Sequence, residues 1–202
     1  MIYKSYNYRK TKFFISAPNI HYLPNDNGIE IAFIGGSNVG KSSALNALTL
    51  QKKLAYTSKK PGRTQLINVF EVENNIRLID LPGYGYAQAP IFVKMQWQKA
   101  LNEYLHKRKS LKGLIILMDI RHPLKYMDIK IIQWSTRIHI PTCILLNKAD
   151  KLKNYEQNCQ IKKVRHKLKN ISKKIEIEIF SSFMKIGINI LEHKLNNWIN
   201  KN

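Results

Sequence analysis

Ile29-Glu30-Ile31-Ala32-Phe33-Ile34 runs directly into Gly35-Gly36-Ser37-Asn38-Val39-Gly40-Lys41-Ser42-Ser43, and this stretch decides the fold. An apolar strand from Ile29 to Gly35 leads into G-x-x-x-x-G-K-[ST], and a helix is predicted from Lys41 to Leu50. The glycines let the loop turn tightly enough for successive backbone N–H groups to point at phosphates. The helix start adds the positive end of its dipole. Lys41 is placed to neutralise β- and γ-phosphates, and the Ser42 hydroxyl to ligate Mg²⁺. The expectation is a nucleoside triphosphate held on an α/β scaffold.

Further motifs name the base. Asn147-Lys148-Ala149-Asp150 follows the apolar run Cys143 to Leu146. A carboxylate at Asp150 can accept from both the ring N–H and the exocyclic amine of guanine. Adenine lacks that donor pair and would strand the acid. Asn147 is expected to brace the loop and reach the purine, while the Lys148 stem lies along the ring. Phe180-Ser181-Ser182 is expected to complete the base pocket. Asp80-Leu81-Pro82-Gly83 ends a strand, with Asp80 holding Mg²⁺ through water and the Gly83 amide free to reach a γ-phosphate. Pro61-Gly62-Arg63-Thr64-Gln65-Leu66 lies between, and Thr64 is the second hydroxyl for Mg²⁺ once a γ-phosphate closes the loop.

Around these motifs, strand-like runs alternate with helix-length segments, the pattern of a mostly parallel sheet covered on both faces. Leu66 to Val72 and Ile76 to Asp80 form a hairpin around Glu73-Asn74-Asn75. Pro90 to Lys109 is helical, with Val93, Trp97, Leu101, Tyr104 and Leu105 on its apolar face. Leu114 to Ile120 reads as a buried strand, Pro123 to Arg137 as a helix and Leu152 to Leu168 as a basic helix. Ile175 to Phe180 reads as an edge strand and Ile188 to Ile199 as a closing helix. The expectation is a G-domain over residues 26–202, with six strands, one of them an antiparallel edge. Residues 1–25 are an appendage packed on it.

Of 202 residues, 44% are hydrophobic, enough for one cored domain and against a disordered tail. No apolar run approaches the length of a membrane span, and the N-terminus lacks a signal-peptide core. Cys143 and Cys159 stand alone, which fits a reducing cytoplasm and inert packing. His106, His122 and His139 have no ligand-spaced neighbours and are assigned no metal. Thirty-four Lys and Arg face thirteen Asp and Glu, a net charge of +21 that favours polyanionic partners, nucleic acid before membrane. A coding bias toward Lys, Ile and Asn is the competing source of that charge. Lys151 to Lys174 concentrates it, with Lys162, Lys163 and Arg165 beside only Glu156.

The runs GGSNVGKSSALNAL, TSKKPGRTQLINVF, LIDLPGYGYA, LMDIRHPLK and LLNKADKL together resemble the bacterial EngB/YsxC (YihA) family of Era-like GTPases, over about residues 10 to 200. The resemblance implies a Mg²⁺-dependent GTPase acting in large ribosomal subunit assembly, in a family linked to normal cell division and septation. It implies ribosomal RNA or a large-subunit particle as partner; a monomer without stable membrane insertion is the accompanying expectation. Gly36 departs from the Arg or Lys common there, and Asn147 from a frequent Thr. A different class of function also remains: a binding module whose GTP occupancy signals to a division or membrane partner, hydrolysis being incidental.

Many small GTPases place a water-orienting Gln directly after the D-x-x-G glycine. Tyr84 stands there, so slow turnover is expected. Asn38 resembles the asparagine that holds K⁺ in potassium-activated GTPases; alternatively it only stabilises the loop turn. Tyr84 and Tyr86 either contact RNA or a ribosomal protein, or pack against the helix from Pro90.

Overall fold

The computed structural model describes residues 3–56, 66–84, 91–172 and 174–201, the side chains at 91, 93, 94 and 97 aside. A seven-stranded sheet runs β1 (Lys12–Ala17), β3 (Ile67–Glu73), β4 (Ile76–Asp80), β2 (Ile29–Gly35), β5 (Leu111–Asp119), β6 (Thr142–Asn147) and β7 (Glu176–Ile179) in spatial order. Strands β4, β2, β5, β6 and β7 are mutually parallel. Strand β3 is antiparallel to both its neighbours.

The expected six-stranded sheet is therefore one strand short. Lys12–Ala17 pairs with β3 and takes the edge, which moves the antiparallel strand one place inward. Phe13 and Phe14 are both about half exposed, so this strand shows no clean alternation that would mark it in sequence. The hairpin turn at Asn74-Asn75 is as expected, with Asn75 in the left-handed region at φ 62°.

Among the described residues, five α-helices cover the sheet: α1 (Lys41–Thr49), α2 (Ile91–Lys107), α3 (Tyr126–Arg137), α4 (Asn154–Leu168) and α5 (Ile188–Asn200). Strand side chains alternate between two apolar layers, as period two requires. Ala32, Ile34, Leu114, Ile116, Ile144 and Leu146 meet Leu101, Tyr104, Ile131, Ile132, Val164 and Leu168 from α2, α3 and α4. Ile31, Phe33, Ile115, Leu117, Cys143 and Leu145 meet Leu45, Leu48, Leu191, Leu195 and Trp198 from α1 and α5. Both faces being dry, the central strands read as continuous apolar runs. Gly113 is required in β5 because a Cβ there would lie 2.3 Å from the Trp198 ring. Cys143 is buried, and burial pushes its thiol up, away from thiolate chemistry.

At the amino end of β2 a fully buried carboxylate, Glu30, ties the N-terminal segment to the domain. It accepts from Arg108 at 2.6 Å and from the Tyr104 hydroxyl at 2.9 Å, and Arg77 lies 3.6 Å away. The two arginines then hold the preceding segment, Arg108 through the Pro24 carbonyl and Arg77 through that of Asn27. Among the described residues no helix is long and apolar enough to cross a membrane.

Candidate nucleotide site

The site lies where parallel sheets place ligands, outside the carboxyl ends of the strands. Gly35 ends β2, Asp80 ends β4, Asp119 ends β5 and Asn147 ends β6. Between β2 and α1 the loop turns tightly. A Cβ on Gly35 would sit 2.4 Å from the Leu117 carbonyl oxygen, and Gly40, at φ 98°, would place one 2.4 Å from Asn147 Nδ2. Asn38 sits at φ 60° with its side chain exposed. No side chain caps α1, so its first N–H groups face the loop unclaimed by a cap.

Two buried charges stand at that loop. Lys41 and Asp80 are 9% and 3% exposed. Burial lowers the Lys41 ammonium's pKa and Asp80 opposes the shift; burial raises Asp80's carboxyl, and Lys41 and Ser42 oppose it. The Ser42 hydroxyl donates to Asp80 Oδ2 at 2.8 Å. The other oxygen, Asp80 Oδ1, is buried without a hydrogen-bond partner. Such an orphan oxygen costs about 1–3 kcal/mol unless something fills its place. Gly83 lies over Lys41, where a Cβ would come within 2.8 Å of Nζ.

Beside the loop opens a cavity of about 670 Å³, bordered by Gly40, Ser43, Asn147, Lys148, Asp150 and Ser182. Asn147 Nδ2 donates to the Val39 carbonyl at 2.8 Å, while its Oδ1 accepts the Ser182 amide at 3.3 Å, so one amide joins three loops. Asp150 accepts the Ser181 hydroxyl at 2.6 Å. That bond, against burial, holds its carboxyl below the usual range. Lys148 stands in the left-handed region at φ 64° with its ammonium 3.1 Å from Asp119. Burial raises Asp119's carboxyl, but the Arg121 and Lys148 bonds outweigh it and keep the acid ionised. The Asp119-Ile120-Arg121 turn thus sets the height of Lys148 over the cavity, a role its sequence did not reveal.

Not every expected residue faces this space. Phe180 is fully buried in the core, and only its carbonyl takes part, accepting from fully buried Ala149 at 3.1 Å. Leu81 and Pro82 are buried behind Asp80, and Leu66 is exposed just before β3. Gly62, Arg63, Thr64 and Gln65 lie outside the described residues, as does Tyr86. Tyr84 is not available to RNA: its ring is 3% exposed within the apolar layer under α2 and α3, and its hydroxyl donates to Asp128. Trp134 on α3 is half-buried and Trp198 on α5 is buried. Sequence reasoning missed Phe183, Lys151 and Lys185, which also line the cavity. Phe183 is 81% exposed, and an exposed aromatic two residues beyond Ser181 was the available signal.

The geometry has close relatives. The 50S ribosome-binding GTPase family model matches residues 30–148. The chain is 57% identical over 201 residues to the probable GTP-binding protein EngB of Photorhabdus laumondii, covering 100% of this chain and 96% of that one. The chain belongs to the EngB family of P-loop GTPases. The EngB of Pectobacterium carotovorum is 56% identical over 195 residues, 96% of this chain and 92% of that one. A crystal structure of a probable GTP-binding protein EngB superposes with a TM-score of 0.69 at 25% identity, over 86% of this chain and all of the other. Era, in complex with MgGDPNP and part of 16S ribosomal RNA, shares the fold at 21% identity and a TM-score of 0.65, over 84% of this chain and 56% of that one. As an EngB-type GTPase, the chain takes GTP as its nucleotide.

Proposed function

We propose that this chain is a Mg²⁺-dependent GTP switch, monomeric and cytoplasmic, that acts on the large ribosomal subunit during its assembly. The family's link to normal cell division and septation belongs to the same reading. The nucleotide half rests on the site. The loop from Gly35 to Ser43, with the α1 start, cradles the phosphates; Lys41 neutralises them, and the Gly83 N–H reaches the γ-phosphate. Asp150 accepts the two guanine N–H donors, and Lys148 and Phe183 flank the ring. The donor set fits a hard dication: the Ser42 hydroxyl lies on one Asp80 oxygen, and the other Asp80 oxygen is buried and unpartnered. Ser42 and Thr64 would hold Mg²⁺ directly and Asp80 through water, and the ion would supply charge neutralisation on the phosphates.

Among the described residues, none orients the attacking water. Tyr84, in that position, is committed to Asp128. Intrinsic turnover therefore belongs near the Ras scale of about 10⁻⁴–10⁻³ s⁻¹. Asn38, exposed at the crown of the loop, is the group that would hold K⁺ against the phosphates and relieve this.

The single observation that supports the ribosomal half is the solvent face of α4. Lys162, Arg165 and His166, and Lys169 at the helix's C-cap, recur at three- and four-residue spacing, with Tyr155 seven residues before Lys162, all exposed. A one-sign stripe with an aromatic at one end suits phosphate contact with base stacking. Co-sedimentation with large-subunit particles at several salt concentrations, with GDP or a non-hydrolysable GTP analogue, tests the proposal. The GTP form should bind more tightly. Charge reversal at Lys162, Lys163 and Arg165 should weaken binding and flatten the salt dependence, by about one unit of log K per log salt for each phosphate no longer neutralised. Equal binding of both nucleotide forms to any RNA would leave only a basic protein adhering to polyanions. A shift onto membranes or division proteins instead would favour the signalling module.

A further inference from the structure

Tyr84, the residue directly after the D-x-x-G glycine, is held from two sides. Its hydroxyl donates to one carboxylate oxygen of Asp128, itself 3% exposed; the other oxygen accepts the Lys125 N–H at 2.8 Å and caps α3. The Tyr84 main chain is meanwhile zipped to the phosphate loop. Its N–H donates to the Gly35 carbonyl at 3.2 Å, and its carbonyl accepts the Ser37 N–H at 2.8 Å and the Ser37 hydroxyl at 3.1 Å. Gly83 is carried along: a Cβ there would lie 3.3 Å from Ser37 N and 2.8 Å from Lys41 Nζ. One amide of the phosphate cradle is thus already taken, and the space beside the Lys41 ammonium is already narrowed.

We infer that Asp128 is a positioning residue for nucleotide choice: through Tyr84 it holds the D-x-x-G loop down on the phosphate loop, against the γ-phosphate and so in favour of GDP. The inference rests on reading Gly35 to Ser42 as the phosphate site. A third phosphate that drew on the Ser37 amide and on the room beside Lys41 would gain both only by lifting the Tyr84 carbonyl and Gly83. GDP, one phosphate shorter, leaves the loop where it is. The buried Tyr84–Asp128 bond resists the lift, because the hydroxyl that leaves Asp128 strands two buried polar groups. GTP binding and α3 are coupled through the same pair, since Asp128 is also the α3 cap.

The test is the ratio of affinities for GDP and a non-hydrolysable GTP analogue, measured by calorimetry on the full chain. Tyr84→Phe keeps the ring and removes the donor. Asp128→Asn keeps an acceptor for the Lys125 N–H and weakens the bond to Tyr84. Both should raise affinity for the GTP analogue about three- to tenfold, the worth of one buried hydrogen bond, and leave GDP affinity unchanged. A ratio that stays put while the melting temperature falls would make the pair purely structural and overturn the inference. A shift toward GDP would overturn it too, by making the pair a support of the GTP form. If the parent bound neither nucleotide, the site reading itself would fail, and this inference with it.

Discussion

Asn147 Nδ2 and the Val39 carbonyl meet at 2.8 Å across 108 positions of sequence, so the base-reading loop and the phosphate loop are fastened to each other directly. A nucleotide bridging both loops meets a span that is set before it arrives, which spares it the ordering cost of bringing them together.

Asn147→Ala removes that fastening and also leaves the Ser182 amide without its partner. Stability should fall by about 1–3 kcal/mol, the penalty of stranding a buried carbonyl. Affinities for GTP and GDP should fall together, because the joint carries no information about the γ-phosphate. Urea denaturation and paired titrations check both; a loss confined to GTP would contradict it.

Metal dependence should separate two hydroxyls. Ser42 is bonded to Asp80 beside the phosphate loop and serves either nucleotide, so Ser42→Ala should weaken Mg²⁺-dependent binding of GTP and GDP alike. If Thr64 joins the Mg²⁺ only when a γ-phosphate is present, as proposed, Thr64→Ala should matter mainly for GTP. Binding titrated against Mg²⁺ for each nucleotide reads this; equal losses for GDP in the Thr64 variant would reject its switch role.

If Asn38 holds K⁺, hydrolysis by the parent should slow when Na⁺ replaces K⁺, and Asn38→Ala should erase the difference. Single-turnover rates in the two salts decide it. Parent turnover indifferent to the cation would leave Asn38 as a turn residue at φ 60°.

Glu30 lies at the opposite end of β2 from Gly35, bonded to Arg108 and Tyr104. Glu30→Gln leaves two buried arginines short of their countercharge and should cost about 3–5 kcal/mol. Nucleotide affinity of the folded fraction should not change. Denaturant midpoints paired with GDP titration test the separation of the two effects, and a midpoint within error of the parent's would refute the assigned role.

What the sequence made legible was what is local. Gly35 to Ser42, Asp80 to Gly83 and Asn147 to Asp150 are contiguous, and each ends a buried parallel strand whose apolar run is itself a signal. What stayed hidden depends on partners far along the chain. Asp128 is one acid in an amphipathic helix until Tyr84, 44 residues earlier, reaches it. Asp119 acquires its meaning from Lys148. Strand β1 exposes both of its phenylalanines and is a strand only because β3 offers it an edge. Phe180 looked like a pocket residue because Ser182 nearby is one, yet its ring lies in the core.

Base recognition by Asp150 is the claim on which the nucleotide assignment stands. Xanthine carries an oxygen where guanine carries its exocyclic amine, so a side-chain amide that donates suits it where a carboxylate does not. Equilibrium titration of the parent and Asp150→Asn with GDP and XDP is the direct measurement. The parent should prefer GDP, and the variant should lose on the order of 3 kcal/mol of GDP affinity, about a hundredfold, while gaining XDP. A variant that binds GDP as tightly as the parent, or a parent indifferent to the base, would contradict it.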